Sequence, residues 1–227
     1  KRQQQDASLR ATTLNNRQGT LISGADLTLN VSQDTDNRAG KISALGQLAL
    51  QGQTAGAAAG ILNNGAGQLL AGKGLTVAAQ AIHNGEDGAI SAARQLQLDV
   101  KNALDNRQGH LESGSGMTLA AGSLHNQSGS VSSLQQLAVN LNAGLDNTGG
   151  AVRSNGDQTI TADQINNRQG VFSSGGGLML TARQLDNQDG TVIGQGAGEY
   201  RVDTLNNQQG RIHSGDALTL ETQTVNN

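Results

Sequence analysis

The tetrapeptide Asn-x-x-Gly returns along this chain at Asn16/Gly19, Asn37/Gly40, Asn64/Gly67, Asn106/Gly109, Asn126/Gly129, Asn147/Gly150, Asn167/Gly170, Asn187/Gly190 and Asn207/Gly210. Asn84 and Gly88 form the same unit with one extra residue between them, and Asn227 opens another. Successive glycines are 20 or 21 residues apart, except for the 27 between Gly40 and Gly67. A fixed period of this length means that each unit is built on its neighbours rather than around a private core.

The rest of the unit repeats with the glycine. Two residues after it stands an apolar side chain, as in Leu21, Ile42, Leu69, Ile90, Leu111, Val131, Val152, Phe172, Val192 and Ile212. Four after it the residue is small, from Ser23 and Ala44 to Gly194 and Ser214. At eight and ten after it comes an apolar pair, such as Leu27/Leu29, Leu96/Leu98 or Leu178/Leu180. Gln158/Ile160 and Gly198/Tyr200 depart from this pair, and those two coils are expected to be weaker or bulged. Two residues before each Asn is Leu, Ile or Val, with Thr35 the exception.

Alternation with period two, broken by Gly, Asn, Ser and Asp, is strand chemistry and not the 3.6 spacing of a helix. Strands of three to five residues cannot bury an apolar face alone. Winding them so that equivalent strands stack pairs each with the coil above and below. The expectation is therefore an all-β, right-handed parallel β-helix of about ten coils, three short strands each, with handedness taken from the rule for parallel crossovers. At about 4.8 Å per coil the rod is roughly 50 Å long. Residues 1–13 read as a partial leading coil and residues 14–227 as one continuous solenoid, with the longer coil at 40–67 and the whole an internal fragment of a longer one.

Composition agrees. The chain has 32 glycines, one Phe, one Tyr, and no Trp, Pro or Cys. A domain without aromatic bulk must bury small aliphatic residues in a regular way. The net charge of −3, with Lys and Arg scattered, leaves no basic footprint for nucleic acid, and no apolar stretch is long enough to insert in a bilayer as a helix.

An inward-turned Asn carries both a donor and an acceptor, so stacked copies can hydrogen-bond along the axis, which Asp cannot do in both directions. A structural ladder is expected at Asn106, Asn126, Asn147, Asn167, Asn187 and Asn207. The anchor glycines Gly19, Gly40, Gly67, Gly109, Gly129, Gly150, Gly170, Gly190 and Gly210 are expected either to take a positive φ or to let coils approach closely.

The unit Leu-Asp-Asn-Arg-Gln-Gly-His-Leu-Glu-Ser-Gly at 104–114, followed by Met-Thr-Leu at 117–119, resembles the haemagglutinin repeat of filamentous haemagglutinin-like exoproteins. The resemblance runs from about Leu14 to Asn227. It implies a right-handed parallel β-helix in a surface filament of a Gram-negative bacterium, either an adhesin or the stalk of a contact-dependent growth inhibition effector. It also implies secretion through an outer-membrane two-partner-secretion transporter. Lack of Cys suits a chain exported unfolded.

Other features carry less. The Gly/Ala-rich excess at Gln51–Gly60 reads as a surface excursion, with a receptor-touching loop as the sharper alternative. The outward residues before the ladder, His83, Asp105, His125 and Asp146, read as a solvated column rather than a metal or pH-sensing stripe. Arg17, Arg38, Arg107 and Arg168 read as solubilising. β-helices also support carbohydrate-active enzymes, which need carboxylates converging on a cleft. Here Glu86/Asp87, Asp34/Asp36, Glu112, Asp157, Asp189 and Glu199 are dispersed, and no catalytic, cofactor-binding or metal site is expected. Gly175–Gly177 lacks the recurring Asp of calcium-binding repeats. The functional expectation is a structural stalk projecting a distal adhesive or toxin region, and the alternative is a β-helix face that itself binds a receptor or glycan on a host or neighbouring cell.

Overall fold

The computed structural model describes residues 5–227, so residues 1–4 of the expected leading coil lie outside the described part. The described chain is a parallel β-helix: every strand pairing is parallel, and no helix occurs among the described residues. After each anchor glycine a four-residue strand, such as Val171–Ser174, joins a ten-stranded sheet running the length of the rod. The remaining strands of each coil form a second sheet of nineteen strands.

Registers match the sequence period. Leu111 pairs with Val131, Val131 with Val152, and Val152 with Phe172, all fully buried. Leu98, Leu119 and Val139 stack likewise on the second face, and Leu104, Leu124 and Leu145 on the third. Each such side chain stabilises by roughly 1.5–3 kcal/mol relative to exposure. A further inward column escapes a reading of the apolar pairs alone. Val31, Ala79, Val100, Ala121, Leu141, Ala162, Ala182 and Val202, twelve after the glycine, are all buried and continue the period-two face around the corner.

The second and third strands are not always separate. They fuse into single nine-residue strands at Leu75–His83, Leu178–Asp186 and Gly198–Asn206. Elsewhere an extra residue is absorbed at that corner: the offset between coils moves from Ala79↔Val100 to Ile82↔Leu104 across the bend at Lys101 and Asn102. The corner therefore tolerates length change while both flanking registers stay intact.

The two irregular coils carry no bulge, contrary to one expectation. Leu137, Gln158, Leu178, Gly198 and Leu218 pair in unbroken succession. Gln158 is buried and donates its amide to the Ser173 carbonyl at 3.0 Å and to Ser154 Oγ at 3.2 Å, while its Oε1 has no partner. Gly198 makes room for the buried ring of Tyr200, since a Cβ there would come within 3.0 Å of the Tyr200 hydroxyl. Thr35 sits in the column between Leu14 and Leu62, with its hydroxyl buried and unpartnered.

The long coil spends its excess on an ordered turn. Gly52 N donates to the Ala57 carbonyl at 2.7 Å, and Gly56 takes φ 78°. The turn leans back two coils, where Arg10 Nη1 donates to the carbonyl and side-chain oxygens of Gln53 at 2.9 and 2.7 Å. Gln53 Nε2 returns a bond to the Ala11 carbonyl at 3.2 Å. The segment is a strap across the first coils.

Candidate functional site

The corner at which Asn-x-x-Gly recurs is the most specified part of the rod. The third strand enters it with an outward Asx residue whose side-chain oxygen accepts the backbone N–H two residues on. This occurs at Asn15, Asp36, Asn63, Asp105, Asp146, Asn166, Asp186 and Asn206, with distances of 3.0–3.3 Å. That local bond mimics a backbone turn and starts the corner. His83 and His125 occupy the same column without making it.

The ladder asparagines come next, and their side chains turn inward. Asn167 Nδ2 donates to Asn187 Oδ1 at 2.8 Å, and also to the carbonyls of Thr191 at 3.1 Å and Gly170 at 3.4 Å. Asn106, Asn126, Asn147, Asn187 and Asn207 repeat this forward bond at 2.7–2.8 Å. The same bond also runs through Asn16, Asn37, Asn64 and Asn84, so the column extends from Asn16 to Asn227 with every amide pointing toward the C-terminus. Its central members are fully buried.

The left-handed residue of the corner is not the anchor glycine. It is the residue before it: Gln18, Ala39, Ala66, Gln108, Ser128, Gln169, Asp189 and Gln209 have φ of 52–57°. Of the two expectations for the glycine, close approach is the one the geometry carries. A Cβ on Gly170 would lie inside van der Waals contact of the Asn147 carbonyl in the preceding coil and 2.5 Å from Asn167 Oδ1. Gly40, Gly109, Gly129, Gly150, Gly190 and Gly210 face the same pair of oxygens, and Gly67 meets the Asn37 carbonyl and Asn64 Oδ1. For Gly19 the nearest atoms are those of its own Asn16, led by its side-chain and carbonyl oxygens.

On the outer side of the corner the charges pair locally. Arg38 forks onto Asp36, with Nε at 2.9 Å from Oδ1 and Nη2 at 2.6 Å from Oδ2, and Arg107 forks onto Asp105 at 2.9 and 2.7 Å. Arg168 reaches Asp186 in the next coil at 2.6 Å. Burial pushes the Asp105 carboxyl up, but the side-chain and backbone bonds from Arg107, its charge and that of His83 outweigh it and hold the carboxyl below its usual range. The side-chain bond from Arg38 likewise lowers Asp36. His83 Nδ1 stands 4.0 Å from Asp105 Oδ2, and among the described residues no three His, Asp or Glu side chains converge as a metal site would require.

Of the dispersed carboxylates, Asp34, Asp36 and Asp157 serve the backbone. Asp34 Oδ1 accepts the Ile61 N–H at 2.8 Å, and Asp157 Oδ1 accepts that of Gly177 at 2.8 Å. An open groove crosses the corner where Gly65 and Gly85 interrupt the arginine column, walled by Arg38, His83, Glu86, Asp105 and Arg107. It is a shallow depression on the side of the rod.

The stacked coils with their Asn-x-x-Gly corner are matched by the Haemagglutinin repeat family over residues 2–52, 53–108, 91–149, 118–184 and 153–222. The chain belongs to the Haemagglutinin repeat family. The five overlapping matches cover nearly all of this haemagglutinin-repeat chain, including the long coil and both irregular ones. Neither the curated proteins nor the solved structures hold a match to it.

Proposed function

We propose that this haemagglutinin-repeat solenoid is a structural stalk of a secreted or cell-surface bacterial filament, holding a distal adhesive or toxin-bearing region away from the cell. The observation that supports this reading most is the unbroken stacking of like on like. Apolar side chains stack on apolar ones in nearly every coil, and Asp34, Asp36, Asp105 and Asp157 are engaged by backbone N–H groups or arginines. On this reading the chain is not an enzyme, and its partners are an outer-membrane two-partner-secretion transporter during export and the neighbouring coils of the same chain. A parallel solenoid suits the task because length is added one coil at a time, by about 4.8 Å, without disturbing the others.

A second reading, a receptor- or glycan-binding face on the β-helix itself, is favoured only by the groove at Gly65 and Gly85. Two in-register deletions separate the readings. Removing residues 130–170 joins Gly129 to Val171 and takes out two coils away from the groove, whereas removing 68–109 joins Gly67 to His110 and takes out the groove. A stalk loses about 10 Å with either deletion and keeps the binding of its distal region. Loss of binding with the second deletion alone, in a rod that still folds, would replace the stalk reading by the second one.

A further inference from the structure

The ladder contains two Asn-Gly steps, Asn64-Gly65 and Asn84-Gly85, and a third Asn-Gly step, Asn155-Gly156, lies outside it. Elsewhere in the ladder the following residue is Arg, Gln or Thr. We propose that Asn64 and Asn84 are deamidation sites of the unfolded chain which folding closes, and that a chain converted at either one no longer forms the solenoid.

The chemistry needs no second reactant but water. The Gly65 backbone nitrogen, deprotonated, attacks Asn64 Cγ; the N–Cγ bond forms, the Cγ–Nδ2 bond breaks, and ammonia leaves with the proton. Water then opens the succinimide at one of its two carbonyls and gives aspartate or isoaspartate. Glycine favours ring closure because it has no Cβ to hinder it and turns freely.

In the folded rod the reacting atoms are held apart from this path. Asn64 Nδ2 donates to Asn84 Oδ1 at 2.8 Å and to the carbonyls of Ala89 at 3.1 Å and Gly67 at 3.3 Å, while its Oδ1 accepts from Asn37 at 2.7 Å. Asn84 is held in the same way, by Asn106, Gly88 and His110. Neither side chain has any exposure to water, and the Gly65 nitrogen is engaged by Asn63 Oδ1 at 3.3 Å. Conversion reverses the sign of these contacts. A carboxylate at 64 would face three acceptor oxygens with no proton to offer them, and an isoaspartate would route the main chain through Cβ and Cγ, leaving no side-chain amide at 64 to bridge Asn37 and Asn84.

Packing leaves room for a side chain at 65 and only a tight one at 85. A Cβ on Gly65 would meet nothing nearer than Asn63 Oδ1 at 3.5 Å, one on Gly85 only the Arg107 carbonyl at 3.2 Å, and neither has a positive φ.

The test holds the full chain folded, and separately in denaturant, at mildly alkaline pH, and follows each site by peptide mass spectrometry. In denaturant, Asn64 and Asn84 should convert in step with Asn155 and on the order of tenfold faster than Asn167, whose neighbour is Arg168. In the folded rod both should slow by at least about 100-fold, as expected where reaction waits on local opening. On refolding an aged sample, the protease-resistant fraction should hold intact amides at both sites. Equal rates in the two states, or converted chains refolding as fully as intact ones, would overturn the proposal. Gly65→Gln with Gly85→Gln should lengthen the time for which denatured chain keeps its refolding yield, and the comparison within the native sequence decides the matter whether or not that variant folds.

Discussion

Asn147 Nδ2 donates to Asn167 Oδ1 at 2.8 Å across one coil, and both side chains are fully buried. The pair is polar, dry and saturated, and it exists only because residues 20 apart in sequence are vertical neighbours. Removing the donor while keeping the shape leaves oxygen facing oxygen. Asn167→Asp is therefore expected to cost about 3 kcal/mol, and the adjacent outward Asn166→Asp about 1 kcal/mol or less, because Asp keeps the turn-forming oxygen there and only adds an outward-facing charge beside Asp146 and Asp186. Denaturant unfolding of the two variants checks this, and equal midpoints would dismiss the ladder as a source of stability.

The corner makes opposite demands on two consecutive residues. Gly170→Ala places a Cβ against the Asn147 backbone carbonyl, which the Gly150 N–H holds at 3.0 Å in the corner of the preceding coil, and should cost more than about 3 kcal/mol. Gln169→Gly relieves a left-handed residue at φ 54° and should be neutral or stabilise by up to about 1 kcal/mol. Thermal unfolding of both distinguishes this from the opposite assignment, in which glycine provides the turn and its neighbour is free.

Three buried polar atoms are defects in otherwise apolar columns. Thr35→Val removes an unpartnered hydroxyl between Leu14 and Leu62, and Gln158→Leu removes an amide whose Oε1 is unsatisfied between Leu137 and Leu178. Each should raise stability by about 1 kcal/mol in equilibrium unfolding. The third atom, the Tyr200 hydroxyl, sits where Gly198 leaves room, and Tyr200→Phe should be tolerated without loss.

Much of this was legible in the sequence because a solenoid converts sequence period directly into spatial contact. Leu111, Val131 and Val152 align by counting, and so do the asparagines. What counting could not supply was conformation. Gln169 gives no sign of a left-handed backbone, since the side chains at that position vary among Gln, Ala, Ser and Asp and share only the place before glycine. The outward column through His83, Asp105, His125 and Asp146 reads in sequence as solvated charge, yet the property shared by the Asx residues of that column is a side-chain oxygen for the turn, as the mixture of Asn15, Asp36 and Asn63 shows. The role of Gln53 as a strap depends on Arg10, which lies 43 residues away and outside any repeat relation.

Stability should depend on pH at both extremes. Asp36 and Asp105 have folded pKa values below their usual range, so their contribution is present above the unfolded value near 3.9 and fades as pH falls through the lower folded values. Tyr200 is displaced the other way: burial raises its phenol, opposed in part by the Ser214 hydroxyl beside it. Its contribution is complete below the unfolded value near 10 and is lost as pH rises through the folded one. Unfolding midpoints measured against pH should fall on both sides, and Tyr200→Phe should remove the part of the alkaline decline that belongs to this residue.

Distances between spin labels on the outer face test the stacking itself. Ser43 lies four coils from Ser132, six from Ser173 and eight from His213 along one outward column of the ten-stranded sheet. With cysteines at these pairs, double electron–electron resonance should give separations centred near about 19, 29 and 38 Å, a straight line at about 4.8 Å per coil. Separations that fail to grow with coil number, as in a compact two-layer body, would contradict the solenoid and every assignment made from it.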